Sequence, residues 1–364
     1  MKADTDEFHM SIGKVLEIDY NGTPKDSAEG IDSLLDSRRI IFENPPPEPV
    51  PILKLNGKRI STAGNLTAIS AQAKHGKSAA VGAMLAAIIG EPENGGDFLG
   101  FEAEPANGKA VVHFDTEQSP YDAWQLVSRA MRRAGLSMMP GNLRSYAVLD
   151  FTAENKLRAL RTELARAAKE CGGIHSIFID GVADLAASVN DEAEAIALVE
   201  ELVILAVQYS CPIICVIHEN PALPGFAGKT RGHLGSQIER KAESNLRVKK
   251  DGDEVSVIFS DGKQRGPAIP EATAPRFRYC EEAGMHISCE AASFAKAEAA
   301  REAMREEVSE IFNTPDAITG LSWADLHDRI KKVNGIEISG ARKRFDKLKA
   351  AGLIKKNAAG LYTR

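Results

Sequence analysis

A short polar loop between an apolar stretch and a helical stretch constrains this chain more than any other feature. It lies within residues 66–89, LTAISAQAKHGKSAAVGAMLAAII, and its centre reads A-x-x-x-x-G-K-S. The pattern differs from a phosphate-binding P-loop at one position, because Ala71 replaces the first glycine. Alanine is costly there only if the backbone needs a positive φ. We therefore predict a strand, a phosphate-binding loop and a helix; an ordinary strand-to-helix turn is the alternative.

The residues of this loop have separate expected roles. Backbone N–H groups and the helix N-terminus would point at phosphate oxygens, Lys77 would reach the β- and γ-phosphates, and the Ser78 hydroxyl would bind Mg²⁺. The predicted ligands are therefore ATP and Mg²⁺. The predicted nucleotide-binding residues are Ala71, Gln72, Ala73, Lys74, His75, Gly76, Lys77 and Ser78.

Short apolar strands alternate with helical patterns from residue 52 to about residue 289. Thus KAVVHFDTE precedes YDAWQLVSRAMRRAG, and HSIFIDGV precedes DEAEAIALVEELVILAVQYS. Such alternation predicts an α/β fold whose mostly parallel sheet is covered by helices. After about residue 240 strand follows strand, with a hairpin about Asp251 and Gly252, which predicts an antiparallel extension of the sheet.

Three polar residues follow apolar strands and are candidates for catalysis. Asp180 ends SIFID, the form of a Walker B segment whose carboxylate orients a Mg²⁺-bound water. Glu117 follows the strand AVVHFD and could act as general base, although an acid favoured by a helix N-terminus is the alternative. His218 ends CVIH, where an imidazole could sense the γ-phosphate or make only a local hydrogen bond. Because parallel strands end at one edge of a sheet, we expect the three residues to meet there.

This constellation resembles the RecA-fold ATPases and, within them, the DnaB-like and RepA-like replicative helicases of bacteria, phages and plasmids. The resemblance covers about residues 52–280. Two later segments sharpen it: KTRGHLGSQIERKAESNLRV, residues 229–248, and GKQRGP, residues 262–267. The first has Glu243 where the family has Asp and differs in spacing by one residue; the second lacks an Asn.

The resemblance implies roles for residues outside the loop. Lys263 and Arg265 would project from a strand into the nucleotide of the next subunit, where an arginine stabilises the transferring phosphoryl group. Being two residues apart, they would share one face of that strand. Arg231 would lie in a mobile central-pore loop that grips a DNA backbone. The alternatives are a solvated edge strand and an inert loop.

The C-terminal 45 residues are basic although the chain as a whole is acidic. They carry 11 Lys and Arg against 4 Asp and Glu, whereas the whole chain has a net charge of −6. A helix, a turn, a basic helix and a hairpin predict a winged helix-turn-helix domain that contacts DNA phosphates; a solvated helix face is the alternative. The predicted DNA contacts here are Arg342, Lys343, Arg344 and Lys347.

The sequence predicts four segments. They are an N-terminal extension (1–44), expected to be partly disordered, an ATPase core (45–289), a helical connector (290–319) and the winged-helix domain (320–364). The five cysteines show no C-x-x-C spacing, and no 18-residue apolar run or signal peptide is evident. We expect a cytoplasmic protein that does not contact membranes.

Together these features predict an ATP-hydrolysing, ring-forming DNA motor, a helicase or helicase-like ATPase. It would form a homo-oligomeric ring, expected to be a hexamer, on single-stranded DNA, with duplex DNA as a second partner. Its expected role is in replication or mobilisation of a plasmid, phage or mobile element. Two alternatives stay open: a non-translocating DNA-bound ATPase, such as a recombination mediator or helicase loader, and a nucleotide-binding DNA regulator that does not hydrolyse ATP.

Overall fold

The chain divides into two compact units, Met1–Cys289 and Glu290–Arg364, here called the core unit and the C-terminal unit. The computed structural model describes residues 28–90, 96–220, 230–252, 254–290, 303–314, 317, 319–357 and 360–364. Most of the predicted disordered extension, residues 1–27, lies outside the described residues. No helix among the described residues is both long and apolar enough to cross a bilayer.

The core unit alternates strands and helices. In chain order its elements are α1 (Ala28–Arg38), β1 (Pro51–Leu55), β2 (Lys58–Thr62), β3 (Leu66–Ala71), α2 (Lys77–Ile89), β4 (Phe101–Ala103), β5 (Ala110–Asp115), α3 (Pro120–Arg133), β6 (Leu143–Ala147), α4 (Ala153–Cys171), β7 (Ile174–Asp180), α5 (Glu192–Gln208), β8 (Ile213–His218), α6 (Gly232–Lys241), β9 (Ser244–Lys250), β10 (Val255–Gln264), β11 (Arg276–Cys280) and β12 (Met285–Cys289). Short 3₁₀ turns follow β7 and β10.

The main sheet has the strand order β12-β11-β10-β9-β3-β8-β7-β5-β6. Strands β9 to β6 in this order pair in parallel, and β10, β11 and β12 pair antiparallel. The prediction of a mostly parallel α/β sheet with an antiparallel extension is therefore confirmed. Strands β3, β5, β7 and β8 are buried almost throughout, as expected when helices cover both faces of a sheet.

Side-chain caps determine where three of the covering helices begin. The oxygens of Ser119, Thr152 and Asp191 accept hydrogen bonds from the first turns of α3, α4 and α5. Buried apolar residues then form one cluster on each face of the sheet, one around α2 and α3 and the other around α4, α5 and α6. This packing fixes the carboxyl ends of the parallel strands along one edge.

Two parts of the core unit differ from the sequence prediction. Strands β2, β1 and β4 form a separate three-stranded antiparallel sheet that the sequence did not indicate. The segment predicted as a mobile pore loop is instead helical from Gly232, because Leu234 and Ile238, four residues apart, are both buried. The preceding residues 221–229 lie outside the described part of the chain.

The C-terminal unit contains a helix over residues 303–311, then α7 (Trp323–Asn334), α8 (Ile338–Ala350), β13 (Lys355–Lys356) and β14 (Tyr362–Thr363). Ser322 caps the start of α7, and Gly335, at φ 62°, ends it. The first helix buries Val308 and Ile311 in the core of this unit. It is therefore part of a small helix, turn, helix and hairpin domain rather than a free connector.

Candidate active site

The loop between β3 and α2 has the backbone of a phosphate-binding loop at the positions that need it. Positive φ angles occur at Lys74 (65°) and at Gly76 (101°), which precedes the first residue of α2. Ala71 is the buried last residue of β3, paired with His218 of β8, and has no positive φ. Alanine in place of the first glycine therefore carries no backbone strain here.

Gly76 is required for a second reason, which is contact with the antiparallel extension. A Cβ atom on Gly76 would lie 2.8 Å from the ring of Phe277 in β11, closer than carbon atoms can approach. Phe277 itself is fully buried. The far end of the sheet thus packs directly against the phosphate-binding loop.

The structure brings Glu117, Asp180 and His218 together with Lys77 at the carboxyl edge of the sheet. Asp180 and His218 end β7 and β8, and Asp115, two residues before Glu117, pairs with Asp180 across β5 and β7. The Asp115 carboxylate accepts hydrogen bonds from the backbone N–H of Glu117 at 3.1 Å and of Gln118 at 2.8 Å. Sequence reasoning missed Asp115, which orients the turn carrying Glu117.

A continuous hydrogen-bonded chain connects Lys77, His218 and Glu117. The Lys77 Nζ lies 2.6 Å from His218 Nδ1, and His218 Nε2 lies 2.8 Å from Glu117 Oε2. A lysine ammonium can only donate, so Nδ1 accepts and the Nε2–H donates to the carboxylate. His218 therefore fixes the position of Glu117 as well as that of Lys77.

Burial shifts the protonation equilibria of these groups in different directions. Burial raises the pKa of Glu117, but the hydrogen bond from His218 and the charges of His218 and Lys77 outweigh it, so this pKa is lowered overall. Burial lowers the pKa of Lys77, against the opposing effect of Glu117 and Asp180. Burial, helped by the charges of Asp115 and Glu117, raises the pKa of Asp180 to about 7.

These groups line a cavity of about 340 Å³ above the sheet edge. Ser78 in the first turn of α2 is exposed, and its hydroxyl with the Asp180 carboxylate forms a hard oxygen donor set that suits Mg²⁺. Sequence reasoning missed the rest of the wall, which comes from α2, α3 and β12. These lining residues are Ala79, Gly82, Gln118, Leu126, Arg129, Ala130, Arg133, Met285 and His286.

A second missed pair lies beside His218. Glu219 is buried and accepts two hydrogen bonds from the Arg247 guanidinium, at 2.8 and 3.0 Å, and one from Ser70 at 3.1 Å. Two parallel N–H···O bonds hold a carboxylate in a fixed orientation. The signal in the sequence was an arginine within the otherwise apolar strand β9.

Lys263 and Arg265 lie at the opposite, amino edge of the sheet. Gln264 pairs with Ser244, which pairs with Thr67 near the start of β3. Lys263 Nζ donates to the Arg240 carbonyl at 2.6 Å, and Arg265 Nη1 donates to Asn65 Oδ1 at 3.3 Å. The structure therefore does not bring them to the cavity of their own chain.

The predicted DNA-contacting residues fall into two groups. Arg231 is exposed and immediately precedes α6, and Arg342, Lys343 and Lys347 are exposed on α8. Arg344 differs, because it is half-buried and its guanidinium forms a bidentate ion pair with Glu307. Its charge is thus compensated within the C-terminal unit, which removes it from the exposed basic face.

Comparison with known proteins defines the class. The family described as "AAA domain" matches residues 35–221, just over half of the chain, and the chain belongs to this family of ATPase domains. Among solved structures it is similar to one titled as an ATPase domain, that of a DnaB-like helicase, with 13% sequence identity, a TM-score of 0.42 and coverage of 62% of this chain and 85% of that one. At this TM-score the similarity does not establish a common fold or function. The comparison with curated proteins gives no match.

Proposed function

We propose that the chain is an ATP-hydrolysing DNA motor that works as a ring of identical subunits. The observation that carries hydrolysis is the chain Lys77–His218–Glu117 across the mouth of the cavity. A protein that only bound nucleotide would need the loop but no carboxylate held in place by an imidazole. We therefore place the non-hydrolysing regulator behind the ATPase.

In the proposed reaction each of these residues has a stated task. Lys77 exchanges His218 for phosphate oxygens when ATP enters, and this leaves His218 Nδ1 to face the terminal phosphate. The Nε2–H continues to hold Glu117, which acts as general base toward the attacking water. Ser78 and Asp180 would hold Mg²⁺, which when bound neutralises charge on the phosphates.

The ring is inferred from the position of Lys263 and Arg265. Along β9, Ser244 pairs with Thr67 and Val248 with Ala71, so the two edges are separated by four strand residues, roughly 13 Å at the rise of a strand. Arg265 therefore has no path to its own P-loop and is available to a neighbouring copy. An arginine supplied by a neighbour would complete that subunit's site.

The basic surfaces support DNA as the partner. We assign the C-terminal unit as a winged helix whose α8 carries Arg342, Lys343 and Lys347 toward duplex DNA, and Arg231 as a contact to single-stranded DNA. A place in the replication or mobilisation of a plasmid, phage or mobile element rests on the sequence resemblance alone. A non-translocating ATPase shares the same site, and only unwinding of a forked substrate separates the two.

Nucleotide binding is tested first. Lys77→Ala should lose ATP binding in calorimetry, because it removes the cation that faces the β- and γ-phosphates. Lys169→Ala, an exposed lysine in the last turn of α4, is the matched control and should bind ATP like the wild type. Unchanged affinity of the Lys77→Ala protein would contradict the proposed site. Wild-type ATPase activity with and without single-stranded DNA, together with strand separation on a fork, then tests the motor.

DNA binding by the C-terminal unit is tested by salt dependence. Deleting residues 320–364 should weaken duplex binding and reduce the slope of log affinity against log salt, since each lost phosphate contact removes about 0.9 from that slope. Basal ATPase activity should remain. A duplex affinity with the same salt slope after the deletion would assign the unit to protein contacts instead.

A further inference from the structure

A buried polar cluster lies behind the nucleotide cavity. His113 and Asp115 are alternate residues of β5, so their side chains share one face, and Asp180 pairs with Asp115 from β7. All three residues are buried, and one potential ligand atom from each lies within 4.8 Å of the others. The proposed hydrolysis uses neither His113 nor the side of Asp180 that faces it.

Two atoms of this cluster have no hydrogen-bond partner among the described residues. They are His113 Nε2 and Asp180 Oδ2. The other ring nitrogen, His113 Nδ1, lies 2.8 Å from Ser145 Oγ in β6. The imidazole is therefore held from behind, and its second nitrogen is left toward the two carboxylates.

The charges around the cluster do not balance. Two carboxylates share a buried region, and the nearby cation Lys77 is hydrogen-bonded to His218 on the cavity side. Buried like charges are stabilised either by a proton on one carboxylate or by a cation between them. A proton needs no imidazole. A nitrogen lone pair beside two carboxylates is the donor set of a metal ion.

We propose that His113, Asp115 and Asp180 bind a divalent first-row transition-metal ion such as Mn²⁺, Co²⁺ or Zn²⁺. An imidazole ligand favours these ions over Mg²⁺, which prefers oxygen ligands and retains its waters. The site is separate from the proposed Mg²⁺ position at Ser78, because the carboxylate of Asp180 has two oxygens and can serve both. Ser145 has the role of an outer partner that orients the ligating ring.

The test uses the full-length chain without a histidine tag and without nucleotide. Co²⁺ is titrated while its visible absorption is recorded, and bound metal is counted after dialysis against excess Mg²⁺. We expect one ion per chain for the wild type. Ser145→Ala should weaken binding about 10- to 100-fold, the usual effect of losing an outer partner, and His113→Gln by more.

The matched control is His175→Gln. His175 is also a buried histidine, on β7, but its ring contacts the Glu104 carbonyl and Ser176 rather than carboxylates. This variant should retain the metal. Ser145→Ala, which keeps the imidazole, serves if His113→Gln does not fold. A wild type that binds no Co²⁺ or Zn²⁺, or equal retention by wild type, His113→Gln and Ser145→Ala, would overturn the proposal. Because no ATP is present, failure here is distinguishable from failure of the ATPase assignment.

Discussion

The two edges of the core sheet hold their charged side chains in opposite ways. At the carboxyl edge Lys77, His218 and Glu117 are bonded to one another, and Asp180 is almost completely buried. At the amino edge the Arg265 guanidinium makes one long hydrogen bond to the neutral side chain of Asn65. Charges that are interlocked within a chain indicate a preorganised site, whereas a weakly held exposed cation indicates that its partner comes from outside.

The strongest challenge to this comparison is Arg265→Ala. If the amino edge completes a neighbour's site, the variant should bind ATP normally and hydrolyse it about 10³-fold more slowly. Turnover and ATP affinity are measured side by side. Arg161→Ala, a half-exposed arginine in the middle of α4, is the control and should behave like the wild type.

Mixing variants sharpens the same test. Arg265→Ala combined with Glu117→Gln should recover part of the activity, because some interfaces then pair an intact Glu117 with an intact Arg265. No recovery on mixing, or an Arg265→Ala protein as fast as the wild type, would mean that the amino edge has no catalytic partner.

At the carboxyl edge, Glu117→Gln should keep ATP bound and slow turnover by roughly 10²-fold or more, the scale of losing a general base. Glu154→Gln is the matched control, because Glu154 is an acid in the first turn of α4 with no link to the cavity. If both variants hydrolyse ATP within a few-fold of the wild type, Glu117 is only an acid at the start of a helix.

The smallest expected effect is on stability and comes from Asp180. Its folded pKa is about 7 against an ordinary value of 3.8, so between these pH values the folded state holds a proton that the unfolded state has lost. The free energy of unfolding therefore falls as pH rises through this window and levels off above pH 7. Asp180→Asn should remove this fall and be more stable than the wild type at pH 8, by at most about 4 kcal/mol at 1.36 kcal/mol per pKa unit.

The measurement is urea unfolding at pH 5 and pH 8 without nucleotide. Because the two units can unfold separately, Trp124 fluorescence is followed in a Trp323→Phe background. Parallel pH curves for the wild type and Asp180→Asn would show that Asp180 has an ordinary pKa in the folded chain.

The sequence predicted what depends on local pattern. The A-x-x-x-x-G-K-S loop and the polar ends of apolar strands indicated the sheet, and parallel strands necessarily end at one edge. It could not indicate that one imidazole contacts both Lys77 and Glu117, because that depends on the register of β8 against β3. The helical form of residues 232–241 was missed because two glycines suggested a loop, while burial of Leu234 and Ile238 decides the structure.

Long-range pairing accounts for the other differences. Arg344 follows the same basic pattern as Arg342 and Lys343, and only its contact with Glu307, in a helix 37 residues earlier, separates it from them. Asp115 was passed over beside Glu117, since nothing in a strand's own sequence shows which neighbouring strand will bury its last carboxylate. Partners that are distant in the chain were the part that pattern alone could not supply.

The contact between Gly76 and Phe277 also sets an order of events during synthesis of the protein. The phosphate-binding loop leaves the ribosome about 200 residues before the strand whose ring packs against it. Contacts so distant in the chain form late in folding. A growing or truncated chain that ends before β11 thus carries the complete loop sequence without the surface that supports it. The chain becomes competent for nucleotide only when nearly the whole core has been made, so ATP cannot capture half-built copies.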